Sequence, residues 1–314
     1  MSSQVILWVG FNIFVVLMLV LDLRFFRREA RVIGVREALL WSAFWITVSL
    51  LFNVLIYFVF DAHTALNFLT AYLVEKSLSV DNLFVFLLIF SYFGVPAAYQ
   101  YKVLYWGVLG AIVMRFVFIM SGIALVEAFE WILYIFGAFL IYTAIRLALR
   151  REPRVDLSKN PLLRVVTRFV PVTSEYEGNR FFTRKDGALL ATPLFIVVLV
   201  VETSDLVFAV DSIPAVIGIT REPFIVYSSN ILAILGLRAL YFALAGIMRL
   251  FRFLSYGLMV VLFFIGAKMI AEVVYVVPVT ISLGVVVGVL SISVVLSIIM
   301  KEGATETRRK DKWR

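Results

Sequence analysis

Two long apolar stretches of the sequence, residues 65–93 and 190–219, are interrupted by acidic and other polar side chains. The candidate ligands among them are Glu75, Asp81, Asn82, Glu202, Asp205, Asp211 and Ser212. Carboxylate, amide and hydroxyl oxygens without thiolate or imidazole suit hard cations such as Mg²⁺, Ca²⁺ or Mn²⁺. Carboxylates can equally bind and release protons. The residue types therefore predict either a divalent-cation site or a proton pathway.

Other kinds of site have little basis in this sequence. The chain has no cysteine, which excludes disulfides, thiolate metal sites and cysteine nucleophiles. His63 is the single histidine, and we place it in a short external loop, away from any Ser-His-Asp or histidine-rich metal site. There is no G-x-x-x-x-G-K-[ST] motif for ATP hydrolysis. We expect a protein that is not an enzyme and has no cofactor.

The composition places these acids in a membrane. Of the 314 residues, 63% are hydrophobic and 16% are charged, more apolar surface than one soluble core would bury. Stretches of about 20 apolar residues, enough to cross the hydrocarbon layer, recur along the whole chain. They predict an all-α polytopic membrane protein with about nine transmembrane helices, at 5–22, 38–60, 65–93, 103–125, 131–149, 190–219, 225–246, 254–275 and 278–299.

The basic residues predict the orientation. With the N-terminus outside, the cytoplasmic segments carry 23 Lys and Arg, whereas the outer segments carry only Arg221. Such an excess marks the cytoplasmic side, so we expect the N-terminus outside and the C-terminus inside. The net charge of +8 then reflects topology, and the expected partner is the lipid bilayer and not nucleic acid.

An internal repeat is predicted by three matches in the same order. The matched segments begin at Asp81 and Asp205, surround Arg115 and Arg238, and begin at Gly137 and Gly266. The predicted third and sixth helices enter the membrane from opposite sides, so the repeats are inverted. Inverted repeats are typical of transporters, with the substrate site at the repeat interface.

The predicted organisation follows from these elements. Residues 1–62 hold two N-terminal helices, 63–149 the first three-helix repeat, and 188–275 the second. Residues 150–187, rich in basic residues and helix breakers, form a cytoplasmic linker, and 276–314 hold the last helix and a basic tail.

Acids at membrane depth must face the protein interior, because each ionised side chain in lipid costs about 2.5–3.5 kcal/mol. We expect Arg115 and Arg238 to neutralise them. Pro214 cannot bond the carbonyl of Val210, which predicts a kink or unwound turn near Asp211.

Structural roles for some of these charges stay open. Glu75 could instead pair with Lys76, and Asp211 could cap a helix that starts at Pro214. We expect solvated positions for the acids at the span ends: Asp22, Glu127, Glu130 and Glu222.

The same segments carry a family resemblance. Glu75-Lys76-Ser77-Leu78-Ser79-Val80-Asp81-Asn82, Val201-Glu202-Thr203-Ser204-Asp205, Phe208-Ala209-Val210-Asp211-Ser212-Ile213-Pro214-Ala215, the run from Trp131 to Phe139 and the run from Ser229 to Arg238 resemble the TerC/Alx family of bacterial membrane proteins. The resemblance covers nearly the whole chain. It implies a LysE-superfamily type of helical fold, a location in the bacterial inner membrane, manganese export and an older link to tellurite resistance. It also implies five essential intramembrane acids: Glu75, Asp81, Glu202, Asp205 and Asp211.

These considerations favour a secondary transporter that exports a divalent cation, Mn²⁺, in exchange for protons. The alternative is a non-transporting membrane scaffold or a component of a metal or tellurite stress response. A third hypothesis, an intramembrane metalloenzyme whose carboxylates hold a water-activating metal, is disfavoured by the single histidine.

Overall fold

The computed structural model describes residues 3–26, 34–149, 171–173, 175–185, 188–247, 253–271 and 277–300. These residues form ten helices and one hairpin. The elements are α1 (Ser3–Phe26), α2 (Val35–Val59), α3 (Ala62–Tyr92), α4 (Ala97–Ala128), α5 (Ile132–Leu149), β1 (Phe182–Lys185), β2 (Ala188–Ala191), α6 (Pro193–Ile217), α7 (Pro223–Leu235), α8 (Leu237–Ile247), α9 (Leu254–Ala271) and α10 (Val279–Ile299).

The structure is that of an all-α membrane protein, as predicted. Within the described ranges, α1, α2, α4, α6 and α10 are long and apolar enough to cross a membrane, and the bent pair α7–α8 makes a sixth if it is one span. Helix α3 is long enough but contains Glu75, Lys76 and Asp81, while α5 and α9 are shorter apolar helices. Every stretch predicted to be a transmembrane helix contains a helix, and the count of nine spans and the orientation stay predictions.

Several helix starts follow from local sequence. The Asp61 carboxylate accepts a hydrogen bond from the backbone N–H of Thr64 at 2.7 Å, which caps α3 and lowers the pKa of Asp61 below its usual value. His63 lies in the first turn of α3, so its predicted position in a loop is wrong. Helices α6 and α7 begin with Pro193 and Pro223. Proline is well suited to this position, because a backbone N–H in the first turn would have no acceptor within the helix.

The sixth stretch has no unwound turn, whereas the seventh stretch contains a break that was not predicted. Helix α6 runs uninterrupted through Asp211 and Pro214 to Ile217, so an unwound turn and a cap at Asp211 are both wrong, whereas a kink there stays a prediction. Because Pro214 lies in the last turn, its missing N–H removes a hydrogen bond where the helix is already ending. The seventh stretch divides at Gly236 into α7 and α8, which are bent by 41°.

The helices after α2 form two groups in sequence, α3 to α5 and α6 to α9. Across the groups, α5 packs along α9, α4 along α6 and α3 along both α6 and α7. Helices α1, α2 and α10 lie around this centre: α1 contacts α7, α2 contacts α3 and α8, and α10 contacts α3 and α9. The buried core of the protein therefore lies where the two groups meet.

Two glycines allow α5 and α9 to cross closely. A Cβ built on Gly137 would lie 2.8 Å from the carbonyl oxygen of Gly266, and one built on Gly266 would lie 2.6 Å from that of Gly137. Both obstacles are backbone atoms, which cannot move without separating the helices. Small residues commonly permit this kind of approach between membrane helices.

We expect Gly266→Ala to lower the stability of the folded protein by about 1–3 kcal/mol, the usual cost of inserting a methyl group into a packed interior. The midpoint of thermal unfolding in detergent would report the loss. Gly284→Ala in α10 is the matched control, because no heavy atom lies within 4 Å of a Cβ there. Equal midpoints for the two variants would contradict the crossing.

The end of the predicted linker forms a hairpin that was not predicted. Strands β1 and β2 are antiparallel, and Lys185 pairs with Ala188 across the two-residue connection. Tyr176 donates a hydrogen bond to the carbonyl of Phe93 at 2.8 Å, and Lys102 donates one to the carbonyl of Asn179. These bonds attach the segment to α3 and α4; residues 150–170 of the linker lie outside the described residues.

Candidate cation-binding site

Arg115 on α4 lies at the centre of a buried polar cluster. Its Nε and Nη2 donate to the two carboxylate oxygens of Asp205 on α6, at 3.3 and 3.2 Å. Its Nη1 donates to Oε1 of Glu75 on α3 and, at 2.8 Å, to Oδ1 of Asn230 on α7. Asn230 Nδ2 donates in turn to Oε2 of Glu75 at 3.0 Å. The cluster thus connects four helices from both groups.

The cluster is almost completely removed from solvent. Glu75, Arg115 and Asn230 have 0% of their surface exposed, and Asp205 has 5%. With both carboxylates ionised, the cluster holds two negative charges and one positive charge. A buried net negative charge is costly unless a further cation or a proton compensates it. The cluster therefore provides an electrostatic reason for a positive species to enter.

Lys76 points away from this cluster although it follows Glu75 in the sequence. Neighbouring residues on a helix project about 100° apart, so they face different neighbours. Lys76 Nζ donates to the carbonyl of Ala233 at 3.0 Å, in the last turn of α7. The alternative of a Glu75–Lys76 pair is therefore wrong.

The contact of Lys76 explains how a helix can end inside the protein. A Cβ on Gly236 would lie 2.8 Å from Cβ of Trp45 and 3.1 Å from Lys76 Nζ. Helices α2 and α3 therefore both pack closely against the break between α7 and α8. The ammonium group satisfies a carbonyl at the C-terminus of α7 and places positive charge at the negative end of its dipole. Lys76 is thus a cap supplied by another helix.

We expect Lys76→Met to lower stability by about 1.5–3 kcal/mol, the usual value of a hydrogen bond from a charged donor. Methionine keeps the apolar stem and removes the ammonium group, and thermal unfolding in detergent would report the effect. Lys102→Met is the control, because Lys102 also donates to a backbone carbonyl but lies near the surface. A loss no larger than that of the control would contradict the capping role.

Two further predicted residues are arranged alike on α3 and α6. Asn82 follows Glu75 by seven residues and Ser212 follows Asp205 by seven, so each lies two turns along the same helix face. Asn82 is 5% exposed and Ser212 is 1% exposed. Asn82 Nδ2 and Ser212 Oγ have no hydrogen-bond partner among the described side chains. Buried polar atoms without partners suggest a place where water or an ion binds.

Glu202 lies on the same face of α6 as Asp205 but contacts a different part of α4. It is half-buried, and its carboxylate occupies the space that a Cβ on Gly110 would fill. Glycine at position 110 therefore gives the carboxylate room between α4 and α6. Glu202 lies beside the Arg115 cluster but takes no part in the described hydrogen bonds of Arg115, which go to Asp205 and Glu75 among the acids.

The structure brings together part of the predicted ligand set. Glu75 and Asp205 meet through Arg115, and Asn82, Glu202 and Ser212 lie on the same two helices. Asp81 and Asp211 are on α3 and α6, but their side chains lie outside the described residues. Among the described side chains, no three Asp, Glu or His residues converge as metal ligands. Arg115 occupies the position between the acids instead.

A small cavity adjoins the cluster. Its volume is about 20 Å³, enough for about one water molecule. Asp205 and Arg238 both line it, together with apolar residues of α4 and α6 that include Gly107 and Ala111. Asp205 thus lines a space that is large enough for one small species.

Sequence reasoning missed the roles of two residues. Asn230 lies in the middle of an apolar run, where any polar side chain at membrane depth is itself a signal. Asp22, expected to be solvated, is only 4% exposed and forms an ion pair with Arg238 on α8. That expectation was wrong, because the burial of a helix end depends on what packs beside it. The other acids at span ends, Glu127, Glu130 and Glu222, are exposed as expected.

Apolar membrane helices around buried acids and an arginine define an integral membrane protein with a buried polar centre. The chain belongs to the TerC family of integral membrane proteins. The sequence pattern described as "Integral membrane protein TerC family" matches residues 60–305, which confirms the resemblance.

Relatives match along almost the full chain. "Putative membrane-bound redox modulator Alx" of Escherichia coli (strain K12) is 48% identical over 93% of this chain and 94% of its own. "Uncharacterized membrane protein STKORF319" of Myxococcus xanthus is 46% identical, over 95% of this chain and 93% of its own. "Uncharacterized membrane protein" of Rickettsia bellii is 39% identical, over 94% and 97%. No solved structure matches.

Proposed function

We propose that this protein is a secondary transporter that exports a divalent metal cation, Mn²⁺, across the bacterial inner membrane in exchange for protons. The observation that carries the proposal is the buried cluster of Glu75, Asp205 and Asn230 around Arg115. Its carboxylate and amide oxygens are ligands that hard divalent cations prefer. In this proposal the cation is the substrate, and the chain is neither an enzyme nor dependent on a cofactor.

Exchange follows from competition for two carboxylates. Arg115, the metal cation and protons are each attracted to Glu75 and Asp205, and the buried site cannot hold all of them at once. In the structure Arg115 holds both acids. Entry of a divalent cation requires Arg115 to give up hydrogen bonds, and protonation of a carboxylate weakens its hold on the cation. Protons arriving from the other side would then release the metal.

The helix contacts support a two-fold relation between the two helix groups around this site. The matched helices of the two groups are α3 and α6, α4 and α7–α8, and α5 and α9. If each helix is replaced by its match, the contact between α4 and α6 becomes the contact between α7 and α3, which is also present. The same exchange leaves the α5–α9 and α3–α6 contacts unchanged, as a two-fold relation requires. Gly137 and Gly266, matched in the sequence, face each other at the α5–α9 crossing. A substrate site between two such repeats is a common transporter arrangement.

A second candidate function comes from the printed name of a relative, which describes a redox modulator. For this chain it suggests a membrane component of a redox or stress response that transports nothing. Because the chain has no cysteine, such a role could not use thiols of its own. The acids would then hold a structural ion or proton.

Transport by the purified protein in proteoliposomes separates the two candidates. A Mn²⁺-sensitive dye and a pH dye inside the vesicles would follow both ions. We expect saturable Mn²⁺ movement with protons moving in the opposite direction. Folded, reconstituted protein that moves no Mn²⁺ would overturn the transporter and favour the non-transporting role.

A further inference from the structure

Helices α3 and α6, which carry the central acids, run in opposite directions. Helix α4 starts close to the end of α3 and returns along it, since Arg115 in its middle reaches the middle of α3. Helix α6 runs parallel to α4. A Cβ built on Gly107 would lie 3.1 Å from Val201, in the earlier part of both helices, and one built on Gly122 would lie 3.1 Å from Ile217, in the later part of both. Helix α6 is therefore antiparallel to α3.

Asn82 and Ser212 consequently lie on opposite sides of the Arg115 cluster. Each follows a central acid of its own helix by seven residues, which is a rise of about 10 Å along the helix axis. Because the two helices are antiparallel, these displacements lead toward opposite membrane surfaces. The two side chains are then about 20 Å apart along the helix axes, whereas the ligands of one divalent cation lie within about 2.6 Å of it. Asn82 and Ser212 are therefore too far apart to hold one ion together.

Ser79 extends the polar face of α3 between the cluster and Asn82. It follows Glu75 by four residues and precedes Asn82 by three, so the three side chains share one face of the helix. Ser79 is 0% exposed, and its Oγ has no hydrogen-bond partner among the described side chains, like Asn82 Nδ2 and Ser212 Oγ. Buried polar atoms of this kind are usually satisfied by water or an ion. Ser79 and Asn82 thus form an inner subsite, and Ser212 forms an outer subsite.

The packing differs on the two sides of the cluster. The cavity of about 20 Å³ lies on the side of the inner subsite: Phe86, which lines it on α3, lies beyond Asn82, and Ala111, which lines it on α4, comes before Arg115. On the side of the outer subsite, α4 and α6 present apolar side chains that are at most 4% exposed: Ile119, Ile123, Ile213 and Ile217. The structure therefore has free space beside the cluster on the inner side and close packing on the outer side.

We propose that the inner and outer subsites are two separate polar steps through which a cation passes between the Arg115 cluster and opposite membrane surfaces. The inner subsite leads to the end of α3, which the predicted orientation assigns to the cytoplasm, and the outer subsite leads to the outside. The structure is closed on the outer side. The identity of what passes rests on the proposed function, whereas the positions of the subsites on opposite sides rest on the antiparallel helices alone.

The absence of cysteine allows a direct test. Ser79→Cys and Ser212→Cys each introduce one thiol in place of a hydroxyl of similar size. A cationic, membrane-impermeant methanethiosulfonate reagent would be applied to right-side-out and inside-out membrane vesicles. We expect Ser79→Cys to react at least about tenfold faster from the cytoplasmic face and Ser212→Cys at least about tenfold faster from the outer face, because a cationic reagent cannot pass the buried Arg115.

Three further variants make the test specific. Leu83→Cys and Ala215→Cys lie near the subsites on the same two helices but on other faces, and both residues are 0% exposed. They should react slowly from either face, which would show that the helices have not simply loosened. Asn82→Cys places a second thiol in the inner subsite and should share the face preference of Ser79→Cys. Size-exclusion profiles would verify that each variant is folded.

Faster labelling of both serine positions from the same face would overturn the proposal. Thiols at the subsites that react no faster than the Leu83→Cys and Ala215→Cys controls would overturn it as well. Labelling requires no Mn²⁺ and no transport. Labelling from opposite faces in a protein that moves no Mn²⁺ would retain the two subsites and reject the transporter. Labelling from one face in a protein that transports Mn²⁺ would do the opposite.

Discussion

Arg115→Met is expected to destabilise the folded protein by about 3–5 kcal/mol, the usual cost of removing one partner from a buried ion pair. Methionine leaves Glu75 and Asp205 without a positive charge, and both are buried. Asn230 would still donate to Glu75, but an amide does not neutralise a carboxylate. The midpoint of thermal unfolding in detergent would measure the change.

The charge itself, and not the lost packing, should account for this effect. Neutralising both acids by adding Glu75→Gln and Asp205→Asn should restore much of the stability. Arg180→Met, at an exposed arginine, is the control and should change little. A deficit that persists in the triple variant would show that Arg115 acts through packing alone.

Asp205→Asn is expected to reduce Mn²⁺ transport by roughly 100-fold, which corresponds to about 3 kcal/mol for the loss of one charged ligand in a buried site. Asparagine keeps the shape of the side chain but lacks the charge that a divalent cation requires. Glu75→Gln should have a similar effect, since Glu75 is the other acid held by Arg115. Mn²⁺ flux in proteoliposomes would measure both.

Matched variants separate the site from acids elsewhere. Glu222→Gln changes an exposed acid before α7 and should transport like the wild type. Asp81→Asn and Asp211→Asn should lose transport if the family resemblance assigns them correctly. Size-exclusion profiles would verify that each variant is folded. Wild-type flux in Asp205→Asn would remove the central cluster from the mechanism.

The positions of the helices could be predicted because they depend on local composition. Apolar runs of sufficient length become helices in a membrane whatever surrounds them. The pairing of Arg115 with intramembrane acids was also predictable, since buried charges require partners. The hairpin had a local signal too: Asp186-Gly187 is a typical two-residue hairpin connection, and it was interpreted only as part of a linker.

The break at Gly236 could not be predicted from its own segment. A single glycine within an apolar helical run is usually tolerated. Here the break depends on Trp45 and Lys76, which are distant in sequence and meet the glycine only in the folded protein. Pro214 carried the stronger local signal for a break but lies where its helix ends. The burial of Asp22 likewise depends on α8, which no local pattern near Asp22 reveals.

The cap on α7 also determines which helices can move together. Helix α7 is fastened to α3 at two levels, by Asn230 on Glu75 and by Lys76 on Ala233. Helices α4 and α6 are joined separately through the paired hydrogen bonds between Arg115 and Asp205. A rocking motion that preserves both attachments would move α3 together with α7, and α4 together with α6. Each of these pairs contains one helix from each of the two groups. Such a motion would have to break the hydrogen bonds from Arg115 to Glu75 and Asn230, which join the two pairs at the centre of the site.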